Sequence, residues 1–349
     1  MAAPMKALVV QEDKTVAVLD HPVPAVGDDD ILFRTVAVAQ NPTDWKFVDH
    51  VTRPGTILGC DFSGYVVQAG KNVASPAVGD HVAGFVQGGT FVDSGAYAEY
   101  IRTPAELAWV VPQGTLSHEE AATFGCAFWT AVQALFHPAR LGLVAPPLKV
   151  DAPEWIFVYG GSSSVGQFAI QLLHLAGYKV ATTASPHNHA LVRALGADVV
   201  VDHSAGAEAI AALKAATGDT VTAALDAISL RKSQEFTARV LGPRGGKVIL
   251  LLQPNPEARV REDVVFQHTL IYTALGREFA LATLYPVSAA DYAHMTAFLR
   301  IVPALVQTGA LRPNPVRLWE GGLAAVPDGL QYMREGRVSG EKIVYRVAA

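Results

Sequence analysis

The run Glu154-Trp-Ile-Phe-Val-Tyr-Gly-Gly-Ser-Ser-Ser-Val-Gly-Gln-Phe-Ala-Ile-Gln-Leu-Leu173 constrains this chain more than any other stretch. Its apolar start, Trp155 to Tyr159, suits a buried strand. Gly160, Gly161, three serines and Gly166 follow at once, and then Phe168, Ile170, Leu172, Leu173 and Leu175 recur at helical spacing. A strand, a small-residue turn and an amphipathic helix make one nucleotide-binding unit, because the helix N-terminus offers N–H groups to a pyrophosphate. Gly160 and Gly161 permit the tight turn, and Gly166 lets helix and strand backbones approach. A Gly-rich turn alone is common in loops. Here a second strand, Lys179 to Thr183, completes the pattern, and the stretch predicts a domain that binds a nicotinamide dinucleotide.

A chain of 349 residues suits two domains, and half of its residues are hydrophobic, so there is ample material for two cores. The formal net charge of −5, with no basic stripe to offset it, argues against a nucleic-acid partner, and none is expected. Two cysteines, Cys60 and Cys126, build no disulfide framework and read as reduced, small core residues. No stretch reaches the ~18–20 apolar residues that span a bilayer, and the N-terminus carries no long apolar leader, so no membrane is expected as a partner and a cytoplasmic protein is.

Before residue 112 the sequence is β-rich. Ala7–Val10, Thr15–Leu19, Ile31–Val38, Ser63–Ala69, His81–Phe85 and Ala96–Ile101 are short and β-branched or aromatic, with Gly, Pro and Asp between them. Ser117 with Glu120 predicts a capping box opening a helix. A second helix from about Ala127 leads toward a Pro-rich linker at 145–153. From Glu154 strands and helices alternate, with strands expected at Lys179–Thr183, Val199–Val201, Ala223–Asp226, Lys247–Leu252 and Thr269–Ala274. That alternation implies a parallel sheet covered on both faces. One helix is expected over Ala289–Gln307, and a last strand over Gly340–Val347 that rejoins the β domain.

Five further stretches fit one layout: Asn41-Pro-Thr-Asp-Trp-Lys46, Leu58-Gly-Cys-Asp-Phe-Ser-Gly64, Val78-Gly-Asp-His-Val82, Gly95-Ala-Tyr-Ala-Glu-Tyr100 and Ser339-Gly-Glu-Lys342. With the Gly-rich turn they resemble the medium-chain dehydrogenase/reductase superfamily over essentially the whole chain. The resemblance implies an α/β protein with a chaperonin-10-like β domain over 1–130 and 300–349, and a doubly wound parallel Rossmann domain over 131–299. Tyr159-Gly-Gly-Ser-Ser-Ser164, Ala184-Ser-Pro-His-Asn188 and Gly336-Arg-Val-Ser-Gly-Glu-Lys342 are most similar to the fungal trans-acting enoyl reductases that serve polyketide synthases. That closer likeness implies reduction of an enoyl thioester on an acyl carrier protein, by a monomer.

Zinc dehydrogenases that share this layout place Cys, then Gly-His-Glu, then Cys or Asp around a catalytic metal. Here the first position falls in Asn41–Asp44 without thiol or imidazole, the second reads Gly59-Cys60-Asp61, and the structural-zinc lobe near Phe85–Gly95 holds no cysteine. The ligand set for zinc is incomplete, so no metal is expected. Without a Lewis acid, an activated alkene is the natural hydride acceptor, and the reaction needs alignment and hydrogen-bond donors rather than a strong base. The second Rossmann strand ends without the acid that NAD enzymes use on the ribose 2′-hydroxyl, and Ser185, Pro186, His187 and Asn188 follow it. Ser185 or Asn188 serves equally as a helix cap, but the missing acid favours NADPH.

The remaining roles are implied by the resemblance. Lys46 and Thr130 are the catalytic-pocket candidates, as positioning and polarising groups; a surface lysine and a back-bonded helix threonine are the bland readings. Pro42, Thr43, Asp44, Trp45, Leu252, Gln253, Val338 and Ser339 are expected along the cofactor, with Ser162, Ser163, Ser164 and Val165 at the pyrophosphate. His203 occupies the position where the family often has a tyrosine near the adenine. Gly125, Cys126, Ala127, Phe128 and Trp129, with Leu270, Ile271, Tyr272, Thr273 and Ala274, are expected at the acyl pocket, although a sheet strand is apolar without any such role. Two other readings use the same motifs: a quinone or enone reductase on free small molecules, and a non-catalytic cofactor-binding relative.

Overall fold

The structure is a computed structural model that describes residues 4–347. The chain forms two compact units: one runs to Trp129 and resumes at Tyr272, and the other is Thr130–Ile271.

The first unit begins with an antiparallel ribbon, β1 (Met5–Val10) and β2 (Val16–His21). β3 (Asp30–Ala39) is the long central strand, and the short helix α1 (Pro42–Lys46) follows it. β4 (Asp61–Ala69), β5 (His81–Phe85), β6 (Tyr100–Pro104) and β7 (Ala108–Val110) extend the sheet. Helix α2 (His118–Ala121) opens on the expected box: Ser117 Oγ accepts from Glu120 N at 3.2 Å, and Glu120 Oε2 accepts from Ser117 N at 2.9 Å. Helix α3 (Cys126–Phe136) then carries the chain into the second unit.

There the sequence alternates as expected: β8 (Trp155–Tyr159), α4 (Ser164–Leu175), β9 (Lys179–Thr183), α5 (His189–Ala194), β10 (Val199–Val201) and α6 (Ala207–Thr217). β11 (Ala223–Asp226), α7 (Arg231–Val240), β12 (Gly246–Leu250) and β13 (Val264–His268) complete it. All strand pairs are parallel, in the order β10-β9-β8-β11-β12-β13. The order reverses beside β8, the doubly wound arrangement with its ligand crevice at the carboxyl ends of the strands. Phe157, Val248, Leu250, Leu213 and Val240 are buried in its core.

On its return the chain forms β14 (Phe279–Ala280), β15 (Leu284–Tyr285), α8 (Ala289–Leu299), α9 (Val302–Gln307), β16 (Val316–Leu318), α10 (Val326–Arg334) and β17 (Lys342–Arg346). The last strand does rejoin the first unit: β17 lies antiparallel to β3 and parallel to β16.

Several expectations differ from the structure. The return to the first unit comes at Tyr272, not at residue 300, because Tyr272 packs against Phe47, Phe85 and Phe279 of that unit. Thr269–Ala274 is not a strand. The sixth strand ends at His268, and a 3-10 turn spans Ile271–Leu275. The helix expected over Ala289–Gln307 is broken at Arg300–Ile301, where Pro303 opens a second helix and denies the first a continuing N–H. The strand expected at Ala96–Ile101 lies at Tyr100–Pro104. The Pro-rich stretch 145–153 lies within the second unit and marks no boundary.

Candidate active site

In the second unit the Gly-rich turn has the cramped geometry its composition promises. Gly160 takes φ +79°, a conformation that favours glycine. A Cβ on Gly166 would stand 2.3 Å from the Gly160 carbonyl oxygen, and one on Gly161 would stand 2.2 Å from Thr182 Oγ1. Thr183 ties the turn down, its side-chain oxygen accepting from Gly160 N at 2.9 Å and its carbonyl from Gly161 N at 2.8 Å. Ser163 caps α4, accepting from Gly166 N at 3.1 Å. Ser162, Ser164 and Val165 surround that N-terminus, half-buried. A closely packed backbone turn ahead of a 12-residue helix fits a dinucleotide pyrophosphate.

The other expected cofactor residues of this unit also follow carboxyl ends of parallel strands. Beyond β9, half-buried Ser185 opens a 3-10 turn over Pro186–Asn188; Pro186 and His187 are exposed, and Asn188 is buried with its Nδ2 3.3 Å from His187 Nε2. No acidic side chain stands in that turn. Beyond β10, exposed His203 lies 6.0 Å from the Tyr159 ring, between centroids. Beyond β12, Leu252 is half-buried and Gln253 exposed, with Gln253 Nε2 3.0 Å from His268 Nδ1. Thr130 is 7% exposed on α3. Leu270 and Ile271 follow Thr269, whose hydroxyl donates to Gln133 Oε1 of the same helix at 2.6 Å.

Sequence reasoning missed Asp226, at the end of β11. It is fully buried and accepts from Ile228 N (3.0 Å), Ser229 N (2.7 Å) and Ser233 Oγ (2.7 Å). Burial outweighs those bonds and pushes its carboxyl up to about 6. The result is a fixed loop over 227–230 in which Ser229 takes φ +58° and Ile228 lies against Gly160. The available signal was an acid closing an apolar strand beside the reversal of strand order.

In the first unit α1 presents its residues unequally. Pro42 is exposed, Thr43, Trp45 and Lys46 are half-buried, and Asp44 is buried. Asp44 Oδ2 accepts from Asn41 N at 2.7 Å and from Tyr97 Oη at 2.8 Å. Burial, with a smaller contribution from Asp61, still drives its carboxyl up to about 7. Lys46 has no hydrogen-bond or ion-pair partner among the described residues, and burial lowers its pKa. Its Nζ lies 5.7 Å from the Trp45 ring centroid, and the Arg334 guanidinium lies 5.7 Å from the same ring, itself held by both oxygens of Asp49. Thr43 Oγ1 and Tyr272 Oη share a hydrogen bond of 2.5 Å.

Tyr272, Thr273 and Ala274 lie on the 3-10 turn, where burial pushes the Tyr272 phenol well above its ordinary value. Gly125 backs onto Asp61, and Cys126 N donates to Asp61 Oδ1 at 2.6 Å. Ala127, Phe128 and Trp129 are buried; Phe128 meets Phe124 and Phe298, and Trp129 meets Phe85, so these two rings build core. Half-buried Val338 and exposed Ser339 precede Lys342, whose ammonium is 2.9 Å from Asp61 Oδ2. Thus the first unit brings α1, Tyr272, Gly125 and Cys126 together, and the second gathers Ser162–Val165, Ser185–Asn188, His203 and Leu252–Gln253 along one sheet edge.

The donor set does not fit zinc. Asp61 is taken by Lys342 and by Cys126 N, and Cys60 is 1% exposed with burial pushing its thiol well up. Among the described residues no three His, Cys, Asp or Glu side chains gather as metal ligands. No described helix is long and apolar enough to cross a membrane.

Residues 27–113 match the alcohol dehydrogenase GroES-like domain, and residues 164–281 match the zinc-binding dehydrogenase family. The chain is 37% identical over 347 residues to trans-enoyl reductase ACTTS2 of Alternaria alternata, covering 98% of each. It is also 37% identical to trans-enoyl reductase mpsG of Macrophomina phaseolina, covering 99% of each. Among solved structures, a putative zinc-dependent alcohol dehydrogenase protein from Rhizobium etli superposes with a TM-score of 0.82 at 25% identity, over all of both chains. This chain therefore belongs to the trans-enoyl reductase family, within the medium-chain dehydrogenase/reductase superfamily.

Proposed function

We propose that this chain is an NADPH-dependent enoyl reductase that acts, as a monomer, on the α,β-double bond of an enoyl thioester carried by a polyketide synthase acyl carrier protein. The observation that carries the reading is the near full-length likeness to trans-enoyl reductases. The site chemistry supports it, because the donors suit alignment and hydrogen bonding rather than metal ligation.

When bound, the nicotinamide supplies a hydride. The chain's own residues do the rest. Gly160, Gly161 and Gly166 let the backbone close on the pyrophosphate, and Ser162 to Val165 surround it at the positive end of α4. Ser185, His187 and Asn188 donate to the 2′-phosphate, where a carboxylate would repel it. Lys46 meets the cofactor's ribose as an unpaired cation, and Trp45 shields it. The Thr43–Tyr272 hydroxyl pair is the hydrogen-bonding resource of the first unit: a chain of O–H groups orients toward developing negative charge on a thioester oxygen. Thr130 takes the polarising role on α3.

The test is NADPH oxidation with crotonyl coenzyme A, a simple quinone and a free enone. The thioester is expected to be turned over at least about tenfold more efficiently in kcat/KM than either free acceptor. A quinone that matches or exceeds the thioester refutes the proposed substrate class.

A further inference from the structure

Four distant segments of the first unit converge on one buried charge. Lys342 is 2% exposed and Asp61 is fully buried; the ammonium lies 2.9 Å from Asp61 Oδ2. The same ammonium donates to Asn41 Oδ1 at 2.5 Å. The other oxygen of Asp61 accepts from Cys126 N, the first residue of α3. Asn41 immediately precedes α1, and its own N–H donates to Asp44, which Tyr97 also holds.

A buried ion pair is a poor way to add stability. Desolvating both ions consumes most of their attraction, and an apolar pair of similar volume does as well or better. It does fix geometry: an unpaired charge here is strongly unfavourable, so β17, β4, α1 and α3 are held in one register. α1 needs such an anchor, because five residues are too few for a helix to hold its own orientation. That helix carries Thr43, Trp45 and Lys46, the residues assigned above to cofactor and substrate.

We infer that Lys342 is a positioning residue for enoyl reduction: through Asn41 and Asp61 it sets the pose of α1 and of the first turn of α3. The inference rests on the enoyl-reductase reading for its kinetic arm and on cofactor binding for an independent one. Asn41→Ala leaves the Lys342–Asp61 pair intact and cuts its link to α1. Lys342→Met with Asp61→Asn removes both charges together.

Both variants of the full chain are compared with wild type for unfolding midpoint, for NADPH affinity by fluorescence titration, and for kcat and KM with crotonyl coenzyme A. Asn41→Ala is expected to stay folded with a midpoint lowered by several degrees through the lost buried hydrogen bond, to lower kcat about tenfold with KM for the thioester within about twofold, and to weaken NADPH binding at least about fivefold. The double variant is expected to match wild type in midpoint and share the same kinetic loss. Wild-type kcat and NADPH affinity in either folded variant overturns the positioning role. A wild-type chain that binds NADPH but reduces no thioester removes the enoyl-reductase reading, and the affinity comparison then decides the role of Lys342 alone.

Discussion

Replacing Asp44 with asparagine exchanges a pH-dependent cost for a pH-independent one. Asp44 is 1% exposed, and burial lifts its carboxyl from an ordinary 3.8 to about 7, even though Asn41 N and Tyr97 Oη both donate to it. Between those two values the native state holds a proton that the unfolded chain has released. Stability is therefore greatest below the unfolded value and falls as pH climbs, by about 1.4 kcal/mol per unit, until the slope flattens above the folded value. From about pH 5 to about pH 8 the group removes about 2–3 kcal/mol. Asparagine keeps an oxygen for both donors and carries no ionisable proton, so its cost is the same at every pH.

Other groups also titrate in this range. Asp226, lifted to about 6, slopes the same way. His81 opposes both: burial first, and His118 second, press it down to about 3, so its native state lacks a proton between there and 6.5 and gains stability as pH rises. These contributions are common to wild type and variant, and subtracting the two curves isolates Asp44. Guanidinium unfolding at a series of pH values, with the slope against denaturant held common, gives the difference. The variant should gain about 2–3 kcal/mol on wild type from the acid to the alkaline end. Parallel curves would mean that native Asp44 is already ionised at acid pH, and the argument from burial would be wrong.

Ser185→Asp sets a carboxylate where we propose the 2′-phosphate binds, so NADPH affinity should fall at least about tenfold while NADH binding barely changes; equal losses for both refute the assignment. Gly166→Ala drives a Cβ to 2.3 Å from the Gly160 carbonyl and 2.7 Å from Gly161 Cα, backbone atoms that move only if the turn opens. It should weaken NADPH binding at least about tenfold and lower the thermal midpoint by several degrees, and wild-type binding would show the turn to be slack. Prolonged treatment with a chelator should leave NADPH oxidation unchanged; a loss that zinc reverses would show that the donors around Cys60 do bind metal.

The second unit was legible because its signals are local. Each strand, turn and helix there is a contiguous run, and Gly160 to Gly166 announce their packing through residue size alone. The return to the first unit, and that unit itself, were less so. Thr269–Ala274 reads as a strand because its residues are apolar and β-branched, yet tertiary packing of Tyr272 against Phe47, Phe85 and Phe279 turns it into a 3-10 segment. The break at Arg300–Ile301 was visible in Pro303 and was overridden by the apolar periodicity around it. Of the candidate site, the pieces that match motifs, α1 and the Gly-rich turn, were legible as contiguous stretches. The tie from Lys342 to Asn41 and Asp61 spans 301 residues in the first case, and no spacing rule connects such positions even though each lay in a stretch singled out by itself.

The placement of β17 governs when this protein is finished during synthesis. The second unit, Thr130–Ile271, is one uninterrupted segment and is free to fold as soon as it leaves the ribosome. The first has no such freedom: β3 pairs with β4 along Ala37–Ala39 but gains its second neighbour there only when Val344–Arg346 emerge, and Asp61 meets its counter-ion only with Lys342. Some 300 residues thus separate β3 from the strand that completes its sheet, and a nascent chain stopped before β17 has a whole second unit and a first unit whose open strand edge is prone to pairing with other strands.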